Sequence, residues 1–340
     1  MLAPGLGVDI EVVAGVADLA TGEPLMPGSR FRIASVTKTL VAAAALRLVE
    51  DGRLSLEDTV ARLLPGEYDD LLRSGGYDTE AITLRHLLTH TSGIYDFAAD
   101  AYDPSITDGF TTQVRADPGR RWARLEQVAF AVSHGRPYGP PGATFGYSDT
   151  GACLVGAVLE RVTGLSMGAA IRELVGYERL GLTHTWQETV EPEPEDLPPL
   201  SHQYEGDLDV AAMDASVDLF GGGGLMSTCR DLGRFFRALL RGEIFREPST
   251  LATMTTTLVG VPLAEGIGDE DDPSTAGMFL FRAEIAGETW WGHGGFWGTA
   301  VYTCPSHDVT VVAGNQRPYL PDDFVRTAII ADAFEILRDR

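Results

Sequence analysis

The sequence predicts an α+β fold in which an antiparallel sheet is flanked by helices and interrupted by a mostly helical insertion. Three observations carry that prediction. Strand-like patterns sit near both ends of the 340-residue chain. A long middle stretch reads as helix and loop. Four strand candidates then follow one another at the short spacing of a meander. The expected division is a discontinuous sheet-plus-helix domain (1–51 and 221–340), a helical insertion over 52–220, and an active site between the two.

Taken in order, residues 8–17 are rich in Val, Ile and Ala, Thr21-Gly22-Glu23-Pro24 makes a turn, and Phe31-Arg32-Ile33 is expected to return as the second strand of a hairpin. From Ser35 to about Asp51 the period is helical, with Leu40, Val41, Ala44, Ala45 and Leu48 on one stripe and Gly52 as the stop. Further helices are expected over Thr83 to His90 and Asp149 to Val162. The acidic, proline-rich stretch Glu188 to Pro199 reads as a solvated loop. Four glycines, Gly221 to Gly224, precede Thr228-x-x-Asp231, which resembles a capping box opening a helix to about Leu240. Strands are expected over Met278 to Ile285, Thr289 to Gly294, Thr299 to Thr303 and Val309 to Ala313. Asp322 to Leu337 is expected to close the chain as a helix.

Composition removes several function classes. Hydrophobic residues at 44% and charged residues at 22% are ordinary for a globular chain. With 49 acidic and 26 basic side chains the net charge is −23, which argues against nucleic acid or an anionic membrane as partner, because phosphate contacts need Lys and Arg. No uncharged apolar run approaches the ~18 residues of a membrane span. The first residues carry no basic n-region, so a cytoplasmic location is expected, with export left open if the N-terminus is truncated. The cysteines Cys153, Cys229 and Cys304 are odd in number and far apart, which fits neither a disulfide framework nor a metal site. His86 and His90 are four apart on a predicted helix but lack a third ligand. No metal and no cofactor are expected. A small-molecule substrate is the expected partner, and the oligomeric state is open.

One count stands out. The chain has 25 arginines and a single lysine, Lys38. Arginine keeps its proton in a protein, whereas lysine can release it. Lys38 lies three residues after Ser35, and on a helix those side chains share a face. Ser35 would also sit at the helix N-terminus, where the dipole favours developing negative charge. An amine that accepts the seryl proton makes the hydroxyl a nucleophile. Tyr147-Ser148-Asp149 is a second motif, since a phenol beside an ammonium can relay a proton. Read alone, Asp149 is an N-cap and Tyr147 a packed aromatic. The third is His293-Gly294-Gly295-Phe296 at a strand end, where paired glycines let a substrate backbone approach. There the Phe296 N–H can join that of Ser35 as an oxyanion hole.

Ser35-x-x-Lys38, Tyr147-x-Asp149 and His293-x-Gly295, in that order, resemble the serine β-lactamase and penicillin-binding-protein family. The similarity is to class C β-lactamases, D-alanyl-D-alanine carboxypeptidases, D-aminopeptidases and β-lactamase-fold esterases. Phe31-Arg32-Ile33, His90-Thr91-Ser92-Gly93, Gly221 to Ser227 and Gly292 to Gly298 add to the match, which runs from about Gly5 to Gln316. The resemblance implies a β-lactamase/transpeptidase-like fold. It implies Ser35 as the acylated nucleophile, Lys38 and Tyr147 as proton shuttles, the Ser35 and Phe296 amides as oxyanion donors, and Asp149, His293, Gly294 and Gly295 as substrate-binding positions.

Two departures from the family pattern bear on substrate. The family usually has Asn at the position of Asp149, and many members have Lys-Thr-Gly where this chain has His293-Gly294-Gly295. An ionised aspartate only accepts hydrogen bonds, so Asp149 is expected to hold Lys38 or a substrate ammonium. Losing the cation and hydroxyl removes a grip on a substrate carboxylate. The expected function is a metal-independent serine hydrolase of small esters, amides or amino-terminal D-amino-acid peptides. A true β-lactamase or carboxypeptidase, an acyltransferase, and a non-catalytic binding protein are the alternatives.

Overall fold

The computed structural model describes residues 1–101, 103, 105–195, 197, 199–265, 272–314 and 329–338. Its centre is the helix Val36–Glu50, in which every residue from Val36 to Leu48 is buried. The single apolar stripe expected for it is corrected by this all-round burial. Four consecutive alanines, Ala42 to Ala45, give the helix a slim waist, so that the helices Asp149–Thr163 and Met167–Val175 pack beside it and the strands Glu288–Gly295 and Thr299–Cys304 against it. Gly52, at φ +68°, ends it as expected.

The main sheet has six antiparallel strands in the order Val8–Asp9, Leu2–Ala3, Val309–Gly314, Thr299–Cys304, Glu288–Gly295 and Phe281–Ile285. The last four form the expected meander, with Val301 opposite His293 and Ala300 opposite Gly294. The amphipathic helix Cys229–Leu240 turns Phe235, Phe236 and Leu239 inward and packs on the strands Thr299–Cys304 and Val309–Gly314. The terminal helix Asp332–Arg338 sets Phe334 edge-on against the buried Trp290. The earlier part of the expected closing helix, up to residue 328, lies outside the described residues.

Several expectations are corrected. Phe31–Arg32 does not form a hairpin with residues 8–17. It pairs with Leu225–Ser227, whose other edge takes Trp186–Gln187, making a separate three-stranded sheet. Residues 186–187 thus place a strand inside the stretch expected to be helix and loop, and a two-residue strand is too short to show a period. Ser148 rather than Asp149 caps the helix Asp149–Thr163, through its bond from the Gly151 N–H. Thr228 caps the helix after it, but Asp231 accepts from the His184 N–H and Thr185 Oγ1 instead of closing the box. The helix expected to reach His90 ends at Leu88, and His90 has φ +55°, so His86 and His90 do not share a helical face. Among the described residues no single helix is long and apolar enough to cross a membrane.

Candidate active site

Ser35 stands where the strand Phe31–Arg32 gives way to the central helix. Ala34 is held at φ +46°, a left-handed conformation costing a non-glycine residue about 1–3 kcal/mol. The N–H groups of Val36, Thr37 and Lys38 turn back onto the carbonyls of Ile33, Ala34 and Ser35, so the chain bends sharply and presents Ser35 to a cleft. Ser35, Asp149, Asp218, Phe296 and Trp297 line that cleft with Phe97, Phe110 and Met213.

Lys38 is fully buried, and a buried ammonium is tolerated only when its donors and charge are matched. Its Nζ donates to Ser35 Oγ at 2.8 Å and to the Gly222 carbonyl at 2.7 Å, and it contacts Asp149 Oδ1 directly. The Tyr147 ring lies below it, 4.9 Å from Nζ to the ring centroid. The structure therefore brings Ser35, Lys38, Tyr147 and Asp149 into one cluster. Of the two roles expected for Asp149, contact with Lys38 is the one observed.

The supporting shell has three parts, two of them in segments the motif match included without giving them a role and one, Asp96, outside every motif. The first is the glycine run. Gly222 gives its carbonyl to Lys38, and a Cβ there would meet Asp149 Oδ1 at 2.9 Å. A Cβ on Gly221 would strike the Ala152 carbonyl at 2.5 Å, so the run must be side-chain-free to lie against the Asp149–Thr163 helix. The second is Asp96, buried, accepting from the N–H of Asp149 at 3.2 Å and from that of Ala98 at 3.1 Å. Burial and the neighbouring Asp149 charge hold its carboxyl well above the usual range. The third is His90, stacked on Tyr147 at 4.4 Å and 26°. Its Nδ1 accepts from the Ser148 N–H at 3.1 Å. Burial, Lys38 and His293 keep it neutral, well below the usual histidine range.

His293 and its glycines take an unexpected form. The His293 Nδ1 lies 2.5 Å from the Gly294 carbonyl; a carbonyl only accepts, so Nδ1 carries the proton and Nε2 is a lone pair. Nε2 is buried with no hydrogen-bond partner among the described residues. Burial and then Lys38 push the imidazole down to about 3, so His293 is neutral. Gly295 lacks a side chain for a local reason: a Cβ there would lie 2.5 Å from the Ile33 carbonyl, and the strand could not then approach the turn before Ser35. The acidic stretch expected to be solvated is partly structural. Glu188 holds Arg32 through paired bonds of 2.7 and 2.9 Å, and Glu191 holds Arg172 at 2.8 Å.

Fold and site together define an antiparallel-sheet α+β protein with a Ser-x-x-Lys pair on its central helix. The beta-lactamase family model matches residues 7–335, and the chain belongs to that family. It is 37% identical over 185 residues to esterase EstB of Burkholderia gladioli, covering 53% of this chain and 44% of that protein. It is 30% identical to lovastatin esterase of Penicillium rubens, covering 67% of this chain and 61% of the other. Both alignments thus span less than two thirds of those relatives. A D-stereospecific amidohydrolase from Streptomyces sp. superposes with a TM-score of 0.71 at 31% identity, covering 88% of this chain and 86% of that one.

Proposed function

We propose that this chain is a serine hydrolase that acylates Ser35 with small ester or amide substrates. The observation that carries the reading is the 2.8 Å contact between the buried Lys38 amine and Ser35 Oγ at the edge of the cleft. Similarity to two esterases and a D-stereospecific amidohydrolase supports the same reaction class.

In this reading the Lys38–Tyr147 pair has given up one proton before the reaction, so that as Ser35 Oγ attacks the substrate carbonyl the seryl proton passes to that pair. The tetrahedral oxyanion is met by the backbone N–H groups of Ser35 and Phe296, where fixed dipoles need no reorganisation. The carbonyl–leaving-group bond breaks as that proton reaches the departing alcohol or amine. Water then repeats the sequence on the acyl-enzyme and releases the acid. Asp149 holds the amine on the Ser35 side, and Asp96 and His90 position Asp149 and Tyr147. His293, Gly294 and Gly295 form the strand edge along which the acyl chain lies. A neutral His293 offers no charge to a substrate carboxylate, which disfavours carboxylate-bearing substrates.

The test is covalent labelling. A fluorophosphonate probe should add to the intact protein at Ser35, located by peptide mass spectrometry. Ser35→Ala should lose both the adduct and p-nitrophenyl ester turnover, by on the order of 10⁴-fold or more. A wild-type protein that takes no adduct and turns over no ester would instead be a binding protein on this fold.

A further inference from the structure

The charge in the cleft is one-sided. Among the described residues the charged side chains lining it are Asp149, Glu205 and Asp218, and no basic side chain lines it. The nearby cations are already engaged. Lys38 is buried against Ser35, Gly222 and Asp149. Arg32 is held by Glu188 and the carbonyls of Val210 and Met213.

The three acids differ in what holds them. Asp149 contacts Lys38, and Glu205 accepts from Arg115 Nε at 3.0 Å. The Asp218 carboxylate has no hydrogen bond and no ion pair among the described residues. It is half-buried and rests on the glycine run, where a Cβ on Gly223 would lie 1.9 Å from Oδ2. Gly222 faces Asp149 in the same way, so one turn of loop seats both carboxylates. Phe97, Phe110, Val217 and Trp297 form the apolar wall of the cleft.

We propose that Asp218 is a specificity-determining residue that binds a positively charged amine on the acyl substrate, whose aromatic or aliphatic body lies on that apolar wall. The substrate class is amino-acyl esters and amides with a free ammonium. Burial and the Asp149 charge raise the Asp218 carboxyl to about 7, as expected of an acid whose counter-charge arrives with the ligand. The specificity claim rests on the hydrolase reading, and the binding claim does not.

Two measurements separate them. Ser35→Ala protein is titrated calorimetrically at pH 8 with phenethylamine, 3-phenylpropionate and 3-phenylpropanol. The amine should bind at least roughly tenfold more tightly than the neutral alcohol, the scale of one charge-assisted hydrogen bond, and the carboxylate most weakly. Asp218→Asn in the same background should bring amine and alcohol together, and Asp218→Glu should restore part of the gap. Equal binding of amine and alcohol before substitution, or a gap that survives Asp218→Asn, overturns the proposal. In the active protein, kcat/KM is compared for the p-nitrophenyl esters of phenylalanine and 3-phenylpropanoic acid. The amine-bearing ester should be favoured at least roughly tenfold, and Asp218→Asn should collapse that ratio. Turnover of both esters without preference defeats the Asp218 assignment and leaves the hydrolase standing. A preference in binding with no turnover of either ester defeats the hydrolase alone.

Discussion

Arg32 and Lys38 lie three residues on either side of Ser35, and each is a cation set against a carboxylate in the interior. Arg32 meets Glu188 with two parallel bonds and spends its other donors on two carbonyls, so it closes a structure. Lys38 meets Asp149 and one carbonyl and keeps its third contact for the Ser35 hydroxyl. Both solve the problem of a buried charge, but only one leaves a donor on a reactive atom. A guanidinium suits the first task because it is planar, forked and permanently charged, and an amine suits the second because it can exchange its proton. In the proposed mechanism the residue unique in composition is also the one placed where exchange would matter.

The sharpest way to break this contrast is to swap the cations. Lys38→Arg keeps the charge but cannot pass a proton, and should lower kcat for an activated ester by about 10³-fold. Arg32→Lys cannot reproduce the paired bonds to Glu188, and should act mainly on stability, by about 1–3 kcal/mol in urea unfolding. Initial rates and unfolding midpoints on both variants decide it. A fully active Lys38→Arg protein refutes the proton-transfer role.

Removing the anions gives an ordered pair of effects on stability. Asp149→Ala leaves a fully buried ammonium without its counter-charge, and should cost about 3–5 kcal/mol. Glu188→Ala leaves Arg32 with two carbonyls and some access to water, its side chain being 12% exposed, and should cost about 1–3 kcal/mol. Denaturant unfolding at one pH checks the ranking. Equal losses mean that the two pairs are energetically alike despite their different surroundings.

How much of this was legible in the sequence follows from what each feature depends on. The Ser35–Lys38 contact was readable because it is local: a helical spacing of three brings the side chains together whatever the rest of the chain does. The meander was readable because each of its strands spans five to eight residues, enough to show alternation. The partner of Phe31–Arg32 was not, because a two-residue strand has no period and its neighbour, Leu225–Ser227, is nearly two hundred residues away. Asp218 gave no signal as a lone acid before a glycine run. Its significance comes from where the run folds back, against the helix that begins at Asp149. His293 was visible as a motif residue, but its tautomer is set by the Gly294 carbonyl, a detail of strand geometry. The solvated reading of Glu188 failed because composition reports charge and not the arginine that meets it.

The last contrast concerns the groups that share Lys38 as a neighbour without touching it, and it shows only in the pH dependence. At Asp218 burial raises the carboxyl from 3.8 to about 7, against the opposing pull of Lys38. At His293 burial and Lys38 act together and lower the imidazole from 6.5 to about 3. The signs for stability are therefore opposite. Between pH 3.8 and 7 the unfolded chain has released the Asp218 proton while the native state still holds it. Stability from this group falls as pH rises through that window and is level above it. Between pH 6.5 and 3 the unfolded chain protonates His293 and the native state does not, so stability from this group is lost as pH falls, and His90 adds in the same direction. Compared with the parent, Asp218→Asn should thus gain more in Tm at pH 8 than at pH 4, and His293→Gln more at pH 4 than at pH 8. Thermal unfolding of the three proteins across that range should give difference curves of opposite slope. Parallel shifts at every pH would mean that neither group changes its proton affinity on folding, and that the one-sided charge of the cleft is felt by a bound ligand alone.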